Sequence, residues 1–187
     1  MSFQSPNSQK PFHQLVYLGI DLNGMVNRKR LRWFGIWFSG TTYDLISYRL
    51  DRFGFLLFKK SWRVIRLLFF PLFIVFHLFG AHHEIHYTAD LGAGLKILHG
   101  ALGVVVSGKT VAGKNLLLTG GNCIGVRSHL EQGDLILGND VSLGANAVVL
   151  GPARVGDNVK IGAGAVVIDD APDGAVLVGV PAKNIRE

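Results

Sequence analysis

Between Leu137 and Ala171 an aliphatic residue recurs at every sixth position: Leu137, Leu143, Val149, Val155, Ile161 and Val167. Four residues after each stands a small or β-branched residue: Val141, Ala147, Ala153, Val159, Ala165 and Ala171. Gly138, Gly144, Gly156 and Gly162 directly follow four of the six column residues. With roughly a third of the residues here being Leu, Val or Ile, six in one phase arise by chance about once in a thousand. A helix repeats every 3.6 residues and a strand every 2, so a period of six is neither. It fits short flat strands joined at corners. Each column residue then enters a narrow core, and Gly or Asn/Asp turns the chain. The pattern predicts an all-β solenoid.

The phase extends upstream with interruptions. Ile85, Leu91 and Ile97 are in step, Gly103 takes the next slot, and the count then shifts by three to Val106, Ala112, Leu118 and Ile124. From Ile124 to Leu137 is 13 residues, which reads as one more than two repeats. The segment Gly125 to Gly133 is expected to loop out of the coil. Breaks in a solenoid gather on the face that takes ligand. The chain therefore divides into a helical, hydrophobic N-terminal segment, 1–81, and a solenoid domain, 82–187.

The N-terminal segment has its own chemistry. Residues 1–66 hold 11 Lys/Arg against 3 Asp/Glu, whereas 67–187 hold 8 against 10, so the net charge of +6 belongs to the N-terminal part. Met1 to Pro11 is polar, with no apolar run that would make a cleavable leader. A basic cluster at Arg28, Lys29, Arg30 and Arg32 precedes Trp33, Phe34, Trp37 and Phe38. Thr41 to Asp44 is expected to cap a helix running through Arg52, and a second helix is expected over Phe55 to Phe70, with Lys59, Lys60, Arg63 and Arg66 on one face. Pro71 then interrupts, and Leu67 to Ala81 carries no charged side chain over about 15 residues, short of the roughly 20 that span a bilayer. Cationic faces beside Trp and Phe favour peripheral contact with the membrane interface, the alternative being a helical cap on the solenoid or between subunits. Nucleic-acid binding is excluded by the large apolar side chains that alternate with the basic ones. A single cysteine, Cys123, permits no internal disulfide and suits a reducing compartment; beside Ile124 it is expected to be a small buried residue.

The repeat resembles that of the hexapeptide-repeat acyltransferases, whose coils wind a left-handed parallel β-helix. Pro172, Gly174, Gly179, Pro181, Ala182 and Ile185 match that family's closing segment, P-x-G-x-x-x-x-G-x-P-A-x-x-I. Acyl transfer from a thioester to a hydroxyl needs a base, an oxyanion stabiliser and a slot for the donor's arm. A neutral imidazole suits the base, and a carboxylate on its far nitrogen steadies the imidazolium. Glu84 and His99 are 15 residues apart, which in a coil of about 18 places them on adjacent turns.

Glu84-Ile85-His86, Leu98-His99-Gly100 and Gly103-Val104-Val105 resemble the catalytic segment of serine O-acetyltransferases. The resemblance implies His99 as base, Glu84 as its orienting acid, and Arg127 near the acceptor. Two positions depart from it: Leu98 stands where that family has an aspartate that holds the serine, and Ser128 where it has a histidine. An apolar Leu98 cannot hold an ammonium group. Glu84-Ile85, the x-His-Gly segment and the hydrophobic N-terminus resemble instead the colanic-acid branch, acetyltransferases of exopolysaccharide biosynthesis that act on sugar hydroxyls. His86 and His129 are further candidates for acceptor contact, His129 also as an alternative base.

For the donor, the resemblance implies acetyl-CoA along one edge. Ala145 and Ala163 are 18 residues apart beside Gly144 and Gly162, so they stack on one edge, where small side chains permit close approach. Ile168 falls near the adenine end and Lys183 near the nucleotide phosphates; plain coil packing is the alternative for all of them. No phosphate-binding glycine loop is present, and no metal site is expected. The implied enzyme is a homotrimer with its sites between subunits, at the cytoplasmic face of the membrane, acting on a sugar or polysaccharide, free or lipid-linked. The rivals are a serine O-acetyltransferase, a longer-chain acyltransferase with a lipid acceptor, and a non-enzymatic scaffold.

Overall fold

In the computed structural model the described residues are 10–26, 39–80, 83–127, 131 and 133–186, with the side chains of residues 76 and 77 left aside. The basic–aromatic cluster from Arg28 to Phe38, His82 and the Ser128–His129 pair lie outside them.

Among the described residues fourteen short parallel strands wind three faces, and a fifteenth closes them. The first face is β1 (Glu84–Ile85), β4 (Val104–Val106), β7 (Asn122–Val126), β10 (Val148–Gly151) and β13 (Val166–Val167). The second is β2 (Asp90–Leu91), β5 (Thr110–Ala112), β8 (Leu135–Leu137) and β11 (Ala153–Val155). The third is β3 (Lys96–Ile97), β6 (Leu117–Leu118), β9 (Ser142–Leu143), β12 (Lys160–Ile161) and β14 (Val176–Val178), with β15 (Lys183–Asn184) antiparallel on β14. This is a parallel β-helix of four full coils and a fifth whose second face is reduced to a single bridge at Ala171. All twelve residues of the two periodic columns are buried in one core, stacked coil on coil: Leu143 on Ile161, Val149 on Val167. At the corners Asn115, Asp140, Asn146 and Asn158 adopt positive φ of 57–60°, the conformation that Asn and Asp tolerate best after Gly. Coils stack so closely that a Cβ on Gly138 would come within 2.7 Å of the Asp157 nitrogen, which is why Gly follows the column residue there.

The register resolves both interruptions. Val149 pairs with Val167, a step of 18 residues, but Ile85 pairs with Val106 and Ile124 with Val149, steps of 21 and 25. The extra three residues form a 3-10 turn, Gly100–Leu102, ending at Gly103 with φ 68°. The second interruption corrects the sequence expectation. Ile124 and Leu137 sit on consecutive faces, so one repeat plus a seven-residue insertion separates them, rather than two repeats plus one residue. Cys123 is also corrected: strand alternation turns it outward and half-buried between Val105 and Val148, while Ile124 enters the core.

Before the solenoid come α1 (Pro11–Val26), α2 (Gly40–Phe58), α3 (Trp62–Leu68) and α4 (Phe70–Phe79). Thr41 and Thr42 do not cap α2 from outside; they lie buried in its first turn, where Thr41 Oγ1 and Asp44 engage His83 at the entry to β1. The continuous helix expected over Phe55–Phe70 is broken. Lys59 turns back with φ 53°, which lays the Trp62 ring on Gly54 and lets its indole N–H donate to Asp51 (2.6 Å). Pro71 sits in the first turn of α4, where its missing N–H costs nothing.

The fully buried Arg49 on α2 joins helices to solenoid. It donates to Asp21 Oδ2 (2.9 Å) and Gln14 (3.1 Å) on α1, and to the Leu91 and Gly92 carbonyls (2.8 and 2.7 Å) of the first coil. Asp21 Oδ1 in turn accepts the Gly94 and Leu95 main-chain N–H groups (2.7 and 2.9 Å). Burial pushes the Asp21 carboxyl up, while Arg49 and these two N–H groups pull it back. Tyr17 and Tyr48 flank the guanidinium at 5.4 and 5.1 Å. Thus α1 and α2 cap the open end of the solenoid. Breaking a buried pair leaves one charge uncompensated, so Asp21→Asn is expected to destabilise the fold by about 3–5 kcal/mol, read from urea unfolding followed by circular dichroism.

Candidate active site

The corner where the third face returns to the first carries the candidate chemistry. In the first coil it is the segment from Leu98 to Gly103. The His99 N–H donates to the Thr119 carbonyl (2.9 Å), and the His99 carbonyl accepts the Leu102 N–H (3.2 Å). The inserted 3-10 turn pins the His99 main chain and leaves its ring exposed. Leu98 and Leu102 flank it, 57% and 54% exposed.

The ladder continues the same corner through the molecule. Thr119 N–H donates to Leu143 O (3.0 Å), Gly144 N–H to Ile161 O and Gly162 N–H to Leu177 O (both 2.8 Å). His99, Gly120, Ala145, Ala163 and Gly179 therefore line one edge, one residue per coil. At about 4.8 Å per coil the edge runs roughly 19 Å from His99 to Gly179. Gly144 is required by packing alone, since a Cβ there would meet the Ala163 nitrogen at 2.6 Å. Ala145 is half-buried and Ala163 exposed, which leaves the edge low enough for a chain to lie along it. Lys183 pairs with Val178 at the far end and is exposed; Ile168 follows β13, half-buried.

Glu84 opens β1 at the end of the first face nearest this corner, paired with Val105, six residues past His99. Both side chains are exposed, and no hydrogen bond joins them among the described residues.

His86, two residues on, belongs to a different cluster. Its Nδ1 accepts the Thr88 N–H (3.2 Å) and lies 2.8 Å from the Thr88 hydroxyl, which also donates to the Gly108 carbonyl (3.0 Å). The ring stacks on Tyr87 at 4.5 Å. Arg66 of α3 lies over the Tyr87 ring (5.3 Å) and pairs with Asp51 (2.8 Å). Burial, with Arg66 and Arg63, pushes the His86 pKa down from 6.5, against the opposing pull of Asp51 and Glu84. Residue spacing could not reveal this cluster, because Asp51, Arg66 and His86 meet only through the break at Lys59.

Arg127 stands at the other end of the first face, its N–H on the Gly151 carbonyl, at the start of the seven-residue insertion. With β7 five residues long, it is roughly 16 Å along the strand from the His99 corner. The structure thus gathers His99, Ala145, Ala163 and Lys183 along one edge, sets Glu84 beside its head, and keeps Arg127 away from it.

Comparison with known proteins gives this geometry a family. Residues 134–169 match the signature described as bacterial transferase hexapeptide (six repeats). WcaB of Escherichia coli K12, whose name assigns it as a colanic acid biosynthesis acetyltransferase, is 35% identical over 145 residues, 74% of this chain and 86% of that protein. The chain belongs to the hexapeptide-repeat transferases. It is an acetyltransferase of that family. The serine acetyltransferase of Helicobacter pylori J99 is 44% identical over 105 residues, 56% of this chain and 61% of that enzyme. Among solved structures, the serine acetyltransferase of Brucella abortus in complex with coenzyme A superposes with a TM-score of 0.73 at 25% identity, covering 92% of this chain and 68% of that one.

His86 yields a measurable consequence. Its folded pKa lies below the unfolded value of 6.5, so the folded state resists its protonation. The stability this group contributes is complete above pH 6.5 and is lost as pH falls below it. In a proton NMR titration the His86 ring is expected to show a midpoint below 6.5, and Arg66→Met is expected to raise it.

Proposed function

We propose that this hexapeptide-repeat transferase moves the acetyl group of acetyl-CoA to a sugar hydroxyl in polysaccharide biosynthesis, of exopolysaccharide or capsule type. The observation that carries the reading is the single edge that begins at an exposed imidazole, His99, and ends at an exposed ammonium, Lys183. A thioester donor laid along it presents its carbonyl to His99, its arm to Ala145 and Ala163 beside Gly144 and Gly162, its adenine end near Ile168, and its phosphates to Lys183. The relative solved with coenzyme A supports this donor.

In the proposed step His99 takes the acceptor hydroxyl proton as the acceptor oxygen attacks the thioester carbonyl. The carbon–sulfur bond then breaks, and the proton returns from His99 to the leaving thiolate. Glu84 orients the ring and steadies the imidazolium once acceptor and donor close the corner. The exposed Leu98 and Leu102 make the surface around His99 apolar, which suits the carbon face of a sugar better than the charged ends of an amino acid.

Arg127 reaches an acceptor only if supplied by a neighbouring subunit, since within one chain it lies at the wrong end of the first face. The outward column Val105, Cys123, Val148 and Val166 offers an apolar surface for that packing. The enzyme of this reading is a homotrimer with sites between subunits, with His86 of the first coil contacting the acceptor and His129, outside the described residues, held in reserve as an alternative base. A single free cysteine is compatible with the cytoplasmic side of the cell membrane, where sugar acceptors on lipid carriers are accessible.

The second reading, serine as acceptor, is favoured by the 44% identity to the serine acetyltransferase. Thiol release from acetyl-CoA with sugar acceptors and with L-serine separates the two; turnover with L-serine alone overturns the sugar assignment. His99→Ala is expected to lower kcat by about 10²–10⁴-fold with an unchanged circular dichroism spectrum. Ala163→Trp is expected to raise the KM for acetyl-CoA roughly tenfold or more while moving kcat little, because it fills the edge away from the base.

A further inference from the structure

The helical layer has its polarity reversed. In a water-soluble cap the apolar face packs inward and the charges face out. Here Asp21, Asp44, Arg49, Asp51 and Arg52 are buried against the first coil and each other, while most of the exposed large apolar side chains among the described residues lie on the helices. Helix α4 is the extreme case. Its described side chains are aromatic, aliphatic or proline and almost all are exposed; Phe73 lies beside Arg66, and Phe79 meets Tyr43. A helix apolar on every side is found buried, yet the described side chains of α4 are almost all exposed.

We infer that α3 and α4 form a docking surface for an anionic lipid bilayer, with α4 lying among the acyl chains of one leaflet. Among the described residues no helix is long and apolar enough to cross a membrane. At ten residues α4 is about 15 Å long, half the depth of a hydrocarbon core. Exposed Lys59, Lys60 and Arg63 lie on the turn before α3 and in its first turn, and no acidic residue occurs between Arg52 and Glu84. That arrangement, an apolar insert with a cationic collar, is complementary to acyl chains beneath anionic headgroups. A second copy of the same surface is a poorer occupant. The only acids of the helical layer, Asp21, Asp44 and Asp51, are buried, so two such surfaces face to face would oppose like charges with nothing to neutralise them.

Arg66 ties this surface to the candidate site, since it bridges Asp51 on α2 and the Tyr87 ring beside His86. Docking therefore sets the first coil at headgroup level. The inference goes beyond the acceptor assignment, and it stands whether the acceptor is a sugar or serine.

The test is flotation of the purified full chain with phosphatidylcholine vesicles and with phosphatidylcholine–phosphatidylglycerol vesicles, at low and high salt. Flotation is expected with the anionic vesicles and to weaken with salt. The double variant Leu67→Asp/Leu68→Asp, at positions 70% and 80% exposed, is expected to lower the bound-to-free ratio at least tenfold with an unchanged thermal melt. Lys59→Glu/Lys60→Glu is expected to lower it on anionic vesicles only. Absence of flotation on either vesicle overturns the inference, as does flotation indifferent to the Leu67/Leu68 change. An assembly in vesicle-free buffer that the same change reduces to smaller particles, without vesicle binding, assigns the surface to a second copy and also overturns it. Thiol release measured on the same variants with a soluble acceptor keeps the outcome separate from the catalytic assignment, because neither pair touches the His99 edge.

Discussion

Main-chain pairing between successive coils is the constraint from which the molecule follows. Each strand is two to five residues long, too short to be stable alone, and gains stability because its N–H and C=O groups are met by the coil above and the coil below. The pairing fixes the distance between coils, and that distance dictates what may stand at a corner. Between Gly138 and Asp157, or Gly144 and Ala163, there is no room for a side chain. The same pairing turns a residue's position in its repeat into a position in space. His99, Ala145 and Ala163 are far apart in the chain, yet they fall on one line because they occupy one corner of three different coils.

An open coil end would expose unpaired main-chain groups and the end of the core, and each end here is closed differently. At the C-terminal end β15 folds back antiparallel on β14. At the N-terminal end α1 and α2 cover the first coil through Arg49, whose guanidinium donates to two main-chain carbonyls of that coil while Asp21 takes two of its N–H groups. Using charged groups for this contact leaves the helices' apolar residues facing out. The reversed polarity of the helical layer is thus connected to how the solenoid is closed.

The insertions place chemistry where the ladder would otherwise be uniform. The three-residue turn after His99 keeps its main chain within the ladder and displays its ring. The seven-residue insertion after Val126 begins with Arg127 at the opposite end of the same face. A solenoid with no insertions would repeat one corner geometry from coil to coil; the two insertions break that uniformity beside His99 and at Arg127.

Much of this was legible in the residues themselves. The period of six specified the coil, the core columns and the glycine corners, because the pairing distance acts on every repeat alike and leaves a regular mark. The tail motif and the Glu84–His99 spacing carried the family. The resemblance to serine acetyltransferases also marked Leu98 as the departure from an aspartate of that family. What tertiary structure decided were the departures from regularity. The count of residues could not tell a seven-residue insertion from a skipped repeat, since both shift the phase by one; only the pairing of Ile124 with Val149 settled it. Nor could a helical pattern through Phe55 to Phe70 show that the chain turns back at Lys59, because Trp62 lying on Gly54 is a contact between helices. Asp51, Arg66 and His86 meet only after that turn, and the inward-facing charges of α1 and α2 became intelligible only against the carbonyls of the coil they cover. Local repetition writes itself into a sequence; contacts between elements of different kinds do not.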